Sequence, residues 1–490
     1  MSAGGGWEAS QGQLAFGDKL LLLYQFLETI RMHSLRWMGL PPNGAPPSKR
    51  LSVGRHPASL QRTLLGHFGS ETAHGGLPRW WISHGHSGCH GPYGADVPTE
   101  RLTKAGATRM LQSLTFTMVD AHGAAEVGVD QGGVAVEVLS GFFHAVLHDP
   151  TLFEHAHTEH AHDGSVGLPL PASSARCHRT APSDGSFTPC GACDGCRSLS
   201  QLAAVGRVLA KQLIDSYLAP GPASFTWHYL RETHEETLQT AERALEQLEG
   251  FDPQLAASWG SLMRGEAALP DGEYALSFEA FTGTGADAPT GGIGRAFDSA
   301  TPAPPICVTE HNLHEAILAG CRQRLLLGRR PALDALKCGF ATSETRAMLR
   351  LFSVPELRSL MHGTDVFDAR AVWSDGRGVV FDASCAARVR EQLTELLLRS
   401  GWARTHAFLQ FCTALTVLPP DEHGQSLRHR PIRVYSVPPD AEGGTAQSLP
   451  TASTCGRTLY LAATYADTAM MRARFDVALD HMAGSGFGYA

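Results

Sequence analysis

A cysteine on a loop can be presented to a partner as a nucleophile, and one stretch of the sequence has that form. In Leu449, Pro450, Thr451, Ala452, Ser453, Thr454 and Cys455, a cysteine follows turn-forming residues and precedes the strand-like Leu459, Tyr460 and Leu461. Cys455 is therefore a candidate nucleophile, set against the reading that fits any lone cysteine, an inert small hydrophobe. A second group suits a metal ion. Cys177, Cys190, Cys193 and Cys196 lie near His155, His157, His160 and His162, and two overlapping cysteine pairs are spaced by two residues, as in structural zinc sites. The competing reading is a Gly-, Ser- and Pro-rich insertion whose His and Cys side chains are exposed and unordered.

The same loop carries His157, Thr158, Glu159 and, downstream, Pro189, Cys190, Gly191, Ala192 and Cys193. This matches the His-x-Glu and Pro-Cys-x-x-Cys signature of zinc deaminases, in which Glu159 would shuttle protons. That chemistry needs the His-x-Glu at the start of a buried helix, whereas Ala161 to Leu168 is turn-like. Phosphate loops are excluded, since none of Lys19, Lys49, Lys104, Lys211 and Lys337 follows a glycine. The Gly-rich stretch 283–301 does not lead a strand into a helix as a dinucleotide site requires.

The elements that would position these residues are legible in the pattern of apolar side chains. The chain has 490 residues, 43% of them hydrophobic and 18% charged, with a net charge of -8. That composition belongs to a folded chain of several parts and speaks against a general nucleic-acid binder, which needs a basic stripe. No apolar run reaches the roughly 18 residues of a membrane span. Met1 to Gln11 lacks a secretory signal, and 11 scattered cysteines suit a reducing compartment, so the expected location is the cytoplasm, with the nucleus as an alternative. Only five of the 40 basic residues are Lys, beside 52 Gly and 29 Pro, a skew that genomic base composition explains.

Leu20, Leu23, Leu27 and Ile30 predict a helix over 20–38 with Asp18 as cap, and residues 41–99 read as loop and linker. Leu114, Phe116 and Met118 alternate as in a strand, ahead of an apolar run over 134–147. Residues 156–198 interrupt as an insertion before a helix carrying Leu202, Val205, Leu209 and Leu213. Further helical patterns follow over 236–248, 313–327 and 347–361. A polar stretch at 374–378 then separates a last block, with a helix over 386–398, a strand over 432–437 and a helix over 468–482.

From about Arg101 onward the chain resembles the HECT ubiquitin ligases, through several motifs in order. Glu126, Gly128, Asp130, Gly132, Gly133, Glu137, Phe142 and Phe143 are similar to the opening of the family's N-lobe, and Val205, Gly206, Arg207 and Val208 to its buried Gly-Arg helix. Gly339-Phe340, then Leu351, Phe352, Ser353, Pro355, Glu356, Leu357, Leu360 and Gly363, resemble the end of that lobe. Phe408, Leu409, Gln410, Phe411 and Thr413 resemble the start of the C-lobe, and Leu449-Pro450 to Thr454-Cys455 the active-site loop. Phe487, near Ala490, matches a phenylalanine the family needs for passing ubiquitin onward. Two positions depart from the family: its His two before the cysteine is Ser453 here, and its Asn two after is Arg457.

The resemblance implies an α+β bilobal HECT domain, with a mostly helical N-lobe over 101–373 carrying the inserted loop 156–198. A flexible hinge over 374–381 and a smaller α/β C-lobe over 382–490 would follow, and residues 1–100 stay unassigned. It further implies a ubiquitin transferase whose partners are ubiquitin, a ubiquitin-conjugating enzyme docked somewhere in 225–307, and protein substrates. Cys455 would carry the thioester with Thr454 beside it, and Phe487 would serve transfer. No cofactor is required, a structural zinc on Cys177, Cys190, Cys193 and Cys196 being the one candidate. The alternatives are a catalytically impaired HECT-like binding protein, if Ser453 and Arg457 spoil the site, and a zinc deaminase or hydrolase using His157, Glu159, Cys190 and Cys193.

Overall fold

The structure, a computed structural model, describes residues 14–37, 41, 48–54, 56–69, 112–119, 124–125, 133–156, 167–175, 193–215, 217–269, 276–282, 306–340, 349–363, 373, 378–415, 431–438, 448–454 and 456–485. It mixes helices with small sheets, in keeping with the α+β class. Among the described residues no helix is long and apolar enough to cross a membrane.

Helix α1 (Phe16–Trp37) starts before Asp18, which falls in its first turn, where a carboxylate suits the helix dipole, and does not cap it. Its Leu23, Leu27 and Leu35 are buried. Two further elements occupy residues expected to be loop: strand β1 (Ser48–Gly54) and helix α2 (Pro57–Gly69). The strand pairs in parallel with β2 (Ser113–Val119), setting Leu51 opposite Phe116 and Val53 opposite Met118, all four buried. The short strand β1 carries only two apolar residues among Ser, Lys, Arg and Gly, and its partner lies some sixty residues on. That is why its pattern reads as linker. Helix α2 joins the same core through Leu60, Leu64, Leu65 and Phe68.

The apolar run after β2 is helix α3 (Gly133–Leu147), with Phe142 and Phe143 fully buried. Strands β3 (Phe153–Glu154) and β4 (Leu170–Pro171) form an antiparallel pair. Part of the expected insertion is thus structural. Leu170, Ala172 and Ala175 are buried, and the Leu168 N–H donates to the Gly250 carbonyl at 2.9 Å. Two-residue strands leave no periodicity to read. Arg329 fastens this pair from across the fold, donating through Nη1 and Nη2 to both Glu154 carboxylate oxygens at 2.9 and 3.1 Å, and through Nη1 to the Pro171 carbonyl. Burial raises the Glu154 carboxyl, but the Arg329 hydrogen bonds and charge outweigh it and hold the group below its ordinary range.

Helix α4 (Asp194–Asp215) buries the expected Leu202, Val205, Leu209 and Leu213. Helices α5 (Ser224–Arg231), α6 (Ala241–Glu249), α7 (Pro253–Met263) and α8 (Leu313–Arg322) follow, the last running on into a π turn at Gln323–Leu327. Helix α9 (Arg330–Phe340) crosses α4 closely. A Cβ on Gly206 would lie 2.1 Å from the Leu336 carbonyl oxygen, and one on Gly339 would lie 1.8 Å from that of Ala203. The Gly-Arg motif and the Gly-Phe pair are therefore the two halves of one helix crossing. Arg207 does separate work: its Nη1 donates at 2.7 Å to the Phe68 carbonyl in the last turn of α2.

Helix α10 (Val354–His362) explains another motif. Ser353 Oγ accepts from the Glu356 N–H while the Ser353 N–H donates to Glu356 Oε2 at 2.6 Å, a capping box, and Pro355 sits in the first turn. Gly363 ends the helix at φ +77°, a left-handed value that glycine adopts freely. Lys19 of α1 donates to Glu356 at 3.0 Å, and Phe16 packs edge-on against Phe352, so α1 closes over the start of α10.

These elements share two cores. The first gathers α1, β1, α2, β2, α3, α4 and α10, and the second gathers α6, α7 and α8. Helix α5 divides its side chains between them, with Trp227 and Leu230 in the first and Phe225 and Tyr229 in the second.

The C-terminal part builds a third core. Strands β5 (Val379–Phe381), β6 (Ile432–Val437), β7 (Thr451–Ser453) and β8 (Thr458–Ala462) form one sheet in the order β5-β6-β8-β7, parallel except for the β7–β8 hairpin. Helices α11 (Ala387–Leu398), α12 (Trp402–Thr413) and α13 (Thr468–Ser485) contribute Val389, Leu393, Leu396, Phe408, Met471 and Phe475. The region expected to be a hinge, residues 374–381, is described only in part. Residues 374–377 lie outside the described residues, but Val379 is 1% exposed in the sheet and the Gly378 carbonyl accepts from the Ile432 N–H at 2.9 Å. Trp373, upstream of them, is also 1% exposed and packs edge-on against Phe408.

Candidate active site

The β7–β8 hairpin holds the candidate loop at the end of the C-terminal sheet. Ser453 pairs with Thr458, leaving Thr454 to Arg457 to turn the chain. The Arg457 N–H donates to the Thr454 carbonyl at 3.3 Å, and the Arg457 carbonyl accepts from the Arg433 N–H of β6 at 2.8 Å. Thr458 Oγ1 donates to the Gly456 carbonyl at 3.1 Å. Thr454 is half-buried, while Cys455 itself lies outside the described residues. The turn uses backbone that only some residues tolerate, since Arg457 has φ +49°.

Tyr465, which the motif comparison does not single out, steadies the approach to the loop. Its ring is 1% exposed and its Oη donates to the Ser448 carbonyl at 2.9 Å, just before Leu449 and Pro450. An aromatic residue three positions past β8 is the only sequence sign of it.

The two other cysteines of this part are spoken for. Cys385 donates its thiol to the Val434 carbonyl at 3.2 Å and burial raises its pKa. Cys412 is buried on α12 and its thiol is likewise pushed up by burial. Neither supplies a thiolate near neutral pH. Phe487 lies outside the described residues, beyond the end of α13 at Ser485.

Of the candidate zinc ligands, Cys177 and Cys190 lie outside the described residues, as do His157 and Glu159 of the deaminase pattern. Cys193 immediately precedes α4 and its Sγ accepts from the Cys196 N–H at 3.4 Å, while Cys196 is 2% exposed in the first turn. Helix α4 therefore takes in the last residues of the expected insertion. Two cysteines at a helix start suit half of a tetrahedral zinc site. Among the described residues no group of three His, Cys, Asp or Glu side chains is arranged to hold a metal.

Comparison with known proteins found no match among curated sequences. A family model described as HECT-domain (ubiquitin-transferase) matches residues 153–490. The matched span covers more than half of the chain, runs from β3 through all three cores, and includes the β7–β8 hairpin. The chain belongs to the HECT-domain, ubiquitin-transferase family.

Proposed function

We propose that the protein takes ubiquitin from a ubiquitin-conjugating enzyme as a thioester on Cys455 and passes it to a substrate lysine. The observation that carries this is the tight hairpin turn at the sheet's end, held through Arg433 and Thr458, in a chain whose other C-terminal cysteines are buried. In the first step the Cys455 thiolate attacks the thioester carbonyl at the ubiquitin C-terminus, and the conjugating enzyme's thiolate leaves. In the second a neutral lysine amine attacks, loses its proton, and forms an amide as the Cys455 thiolate departs. A free thiol near pKa 8.5 already has a few per cent thiolate at neutral pH, so no separate general base is needed for the first step.

On this proposal the conjugating enzyme docks on the second core, within 225–307, and the C-terminal part moves between donor and acceptor as a bilobal enzyme requires. The rotation is assigned upstream of Trp373, because Trp373, Val379 and Phe381 pack in the third core. Phe487 serves the second step. Zinc on Cys177, Cys190, Cys193 and Cys196 is assigned a structural role only, tested by elemental analysis of the purified chain. No lysine follows Lys337, so the C-terminal part offers no side-chain amine to its own thioester.

The test is incubation with activating enzyme, a panel of conjugating enzymes and ubiquitin. The expected product is an adduct that thiol reductant removes and Cys455→Ala abolishes, while deletion of 487–490 leaves loading intact and blocks lysine transfer. Absence of an adduct with every conjugating enzyme would favour the second reading, an impaired HECT-like binding protein, to which the left-handed Arg457 and the Ser453 substitution lend support.

A further inference from the structure

Side-chain amines are scarce in this chain: Lys19, Lys49, Lys104, Lys211 and Lys337 are its only lysines. Lys104 lies outside the described residues, and the other four differ sharply in exposure and partners. An acyl group carried on a cysteine passes only to an amine that its bulky carrier can approach. Access therefore decides which lysine of the chain can accept one.

Three of the four are held. Lys19 donates from Nζ to both Glu356 carboxylate oxygens at 3.0 Å, and its side chain is 9% exposed where α1 closes over α10. Lys337 lies 2.9 Å from Glu232, which also binds Arg350, and its ammonium is 5.5 Å from the centre of the Tyr229 ring. Either amine would have to leave its carboxylate before it could attack. Lys211 is 1% exposed on α4 and donates to Asp215 at 2.7 Å. Burial lowers the Lys211 pKa against the opposing charge of Asp215, which favours the neutral amine, but a nucleophile sealed inside the fold meets no acyl donor.

Lys49 stands apart. It is the second residue of β1, exposed between the exposed Ser48 and Arg50, and among the described residues it has no carboxylate partner. Its backbone is paired with Leu114 of β2, and Leu51 and Val53 anchor the same strand in the first core, so a long side chain is presented from a fixed base. It precedes residues 153–490 and is therefore no position of the family match.

We propose that Lys49 is the residue of this chain that accepts ubiquitin, a step that rests on the Cys455 thioester described above. The neutral Nζ attacks the thioester carbonyl, the new N–C bond forms as the C–S bond breaks, the Cys455 thiolate leaves, and the amine proton passes to water. A second copy bearing the thioester can reach an exposed amine, so the assignment requires no movement within the accepting chain.

The test uses the full chain. Acylation by an N-hydroxysuccinimide ester, followed by mass spectrometry, should label Lys49 at least about five-fold faster than Lys19, Lys211 or Lys337, since each of those reacts only when its surroundings open. With activating enzyme, conjugating enzyme and lysine-free ubiquitin, the isopeptide remnant should map to Lys49. Lys49→Arg, which keeps the charge of an exposed strand residue, should cut reductant-resistant ubiquitin on the chain at least about five-fold while the reductant-sensitive adduct is unchanged. Slow labelling of Lys49, remnants chiefly on Lys104 or another amine, or an undiminished product in Lys49→Arg would overturn the assignment and leave the thioester reading standing. Absence of the reductant-sensitive adduct would overturn both.

Discussion

Arg457 carries its backbone at φ +49°, in the left-handed region where a side chain with a Cβ is strained by roughly 1 kcal/mol. Asparagine tolerates that region better than most residues, which gives a conformational reason for the family's asparagine at this place. Arg457→Asn is expected to raise the melting temperature of the C-terminal part, by a stability gain of up to about 1 kcal/mol. If the guanidinium also favours the thiolate, Arg457→Ala should raise the Cys455 thiol pKa in an alkylation-rate titration, and equal values in the two proteins would refute that role. A half-buried histidine makes a second expectation. His362 donates from Nδ1 to the Ala219 carbonyl at 2.8 Å and faces Trp227 at 5.1 Å, and a Cβ on Gly221 would strike its ring. Burial, reinforced by the charge of Arg358 and partly opposed by the Ala219 bond, lowers its pKa to about 4 from 6.5. Between those values the unfolded chain binds the proton and the folded chain does not, so stability is present at neutral pH and lost as pH falls from about 6.5 toward 4. The slope due to this group is at most about 1.4 kcal/mol per pH unit. Urea midpoints measured across that window should fall less steeply for His362→Gln than for the unsubstituted protein.

At the scale of elements, the α4–α9 crossing is where a single methyl group has most effect. With carbonyl oxygens 1.8 and 2.1 Å from where the Cβ atoms of Gly339 and Gly206 would sit, the helices have to separate to admit alanine. Gly339→Ala is expected to cost about 1–3 kcal/mol, read as a lower urea midpoint with an unchanged transition slope. Both glycines stand out in the sequence as family motifs, yet only the fold shows that they meet. The long amphipathic helices were legible because their periodicity is local: α4 and α11 bury the leucines and valines expected of them. Strand β1 and the β3–β4 pair were not, because their stability comes from partners remote in sequence, Phe116 and Met118 in one case and the Arg329 side chain in the other. The candidate site divides the same way. Thr454 and its turn follow from the Leu449 to Cys455 pattern, whereas the Tyr465 bond that steadies Ser448 depends on a three-dimensional return of the chain.

For the whole molecule, the packing bears on two boundaries that the motifs suggest. The family match begins at Phe153 and the motif resemblance near Arg101, but β1 and α2 supply Leu51, Val53, Leu64 and Phe68 to the first core, and Arg207 of α4 is bonded to the last turn of α2. A chain starting at Arg101 would leave Phe116 and Met118 without their partner strand and Arg207 without its acceptor. It is expected to be insoluble or to lack a cooperative thermal transition, whereas one starting at Leu14 should melt cooperatively. The second boundary lies before the C-terminal part. Starting at Asp382 would delete strand β5 and the Trp373 side chain that packs on Phe408, and removing a buried tryptophan alone costs about 3–5 kcal/mol. A fragment of residues 364–490 is therefore expected to show dispersed amide resonances and a cooperative melt, and one of residues 382–490 to show neither. If both fragments folded equally well, Trp373 and β5 would be dispensable to the third core, and the pivot could lie where the polar stretch at 374–378 first suggested it.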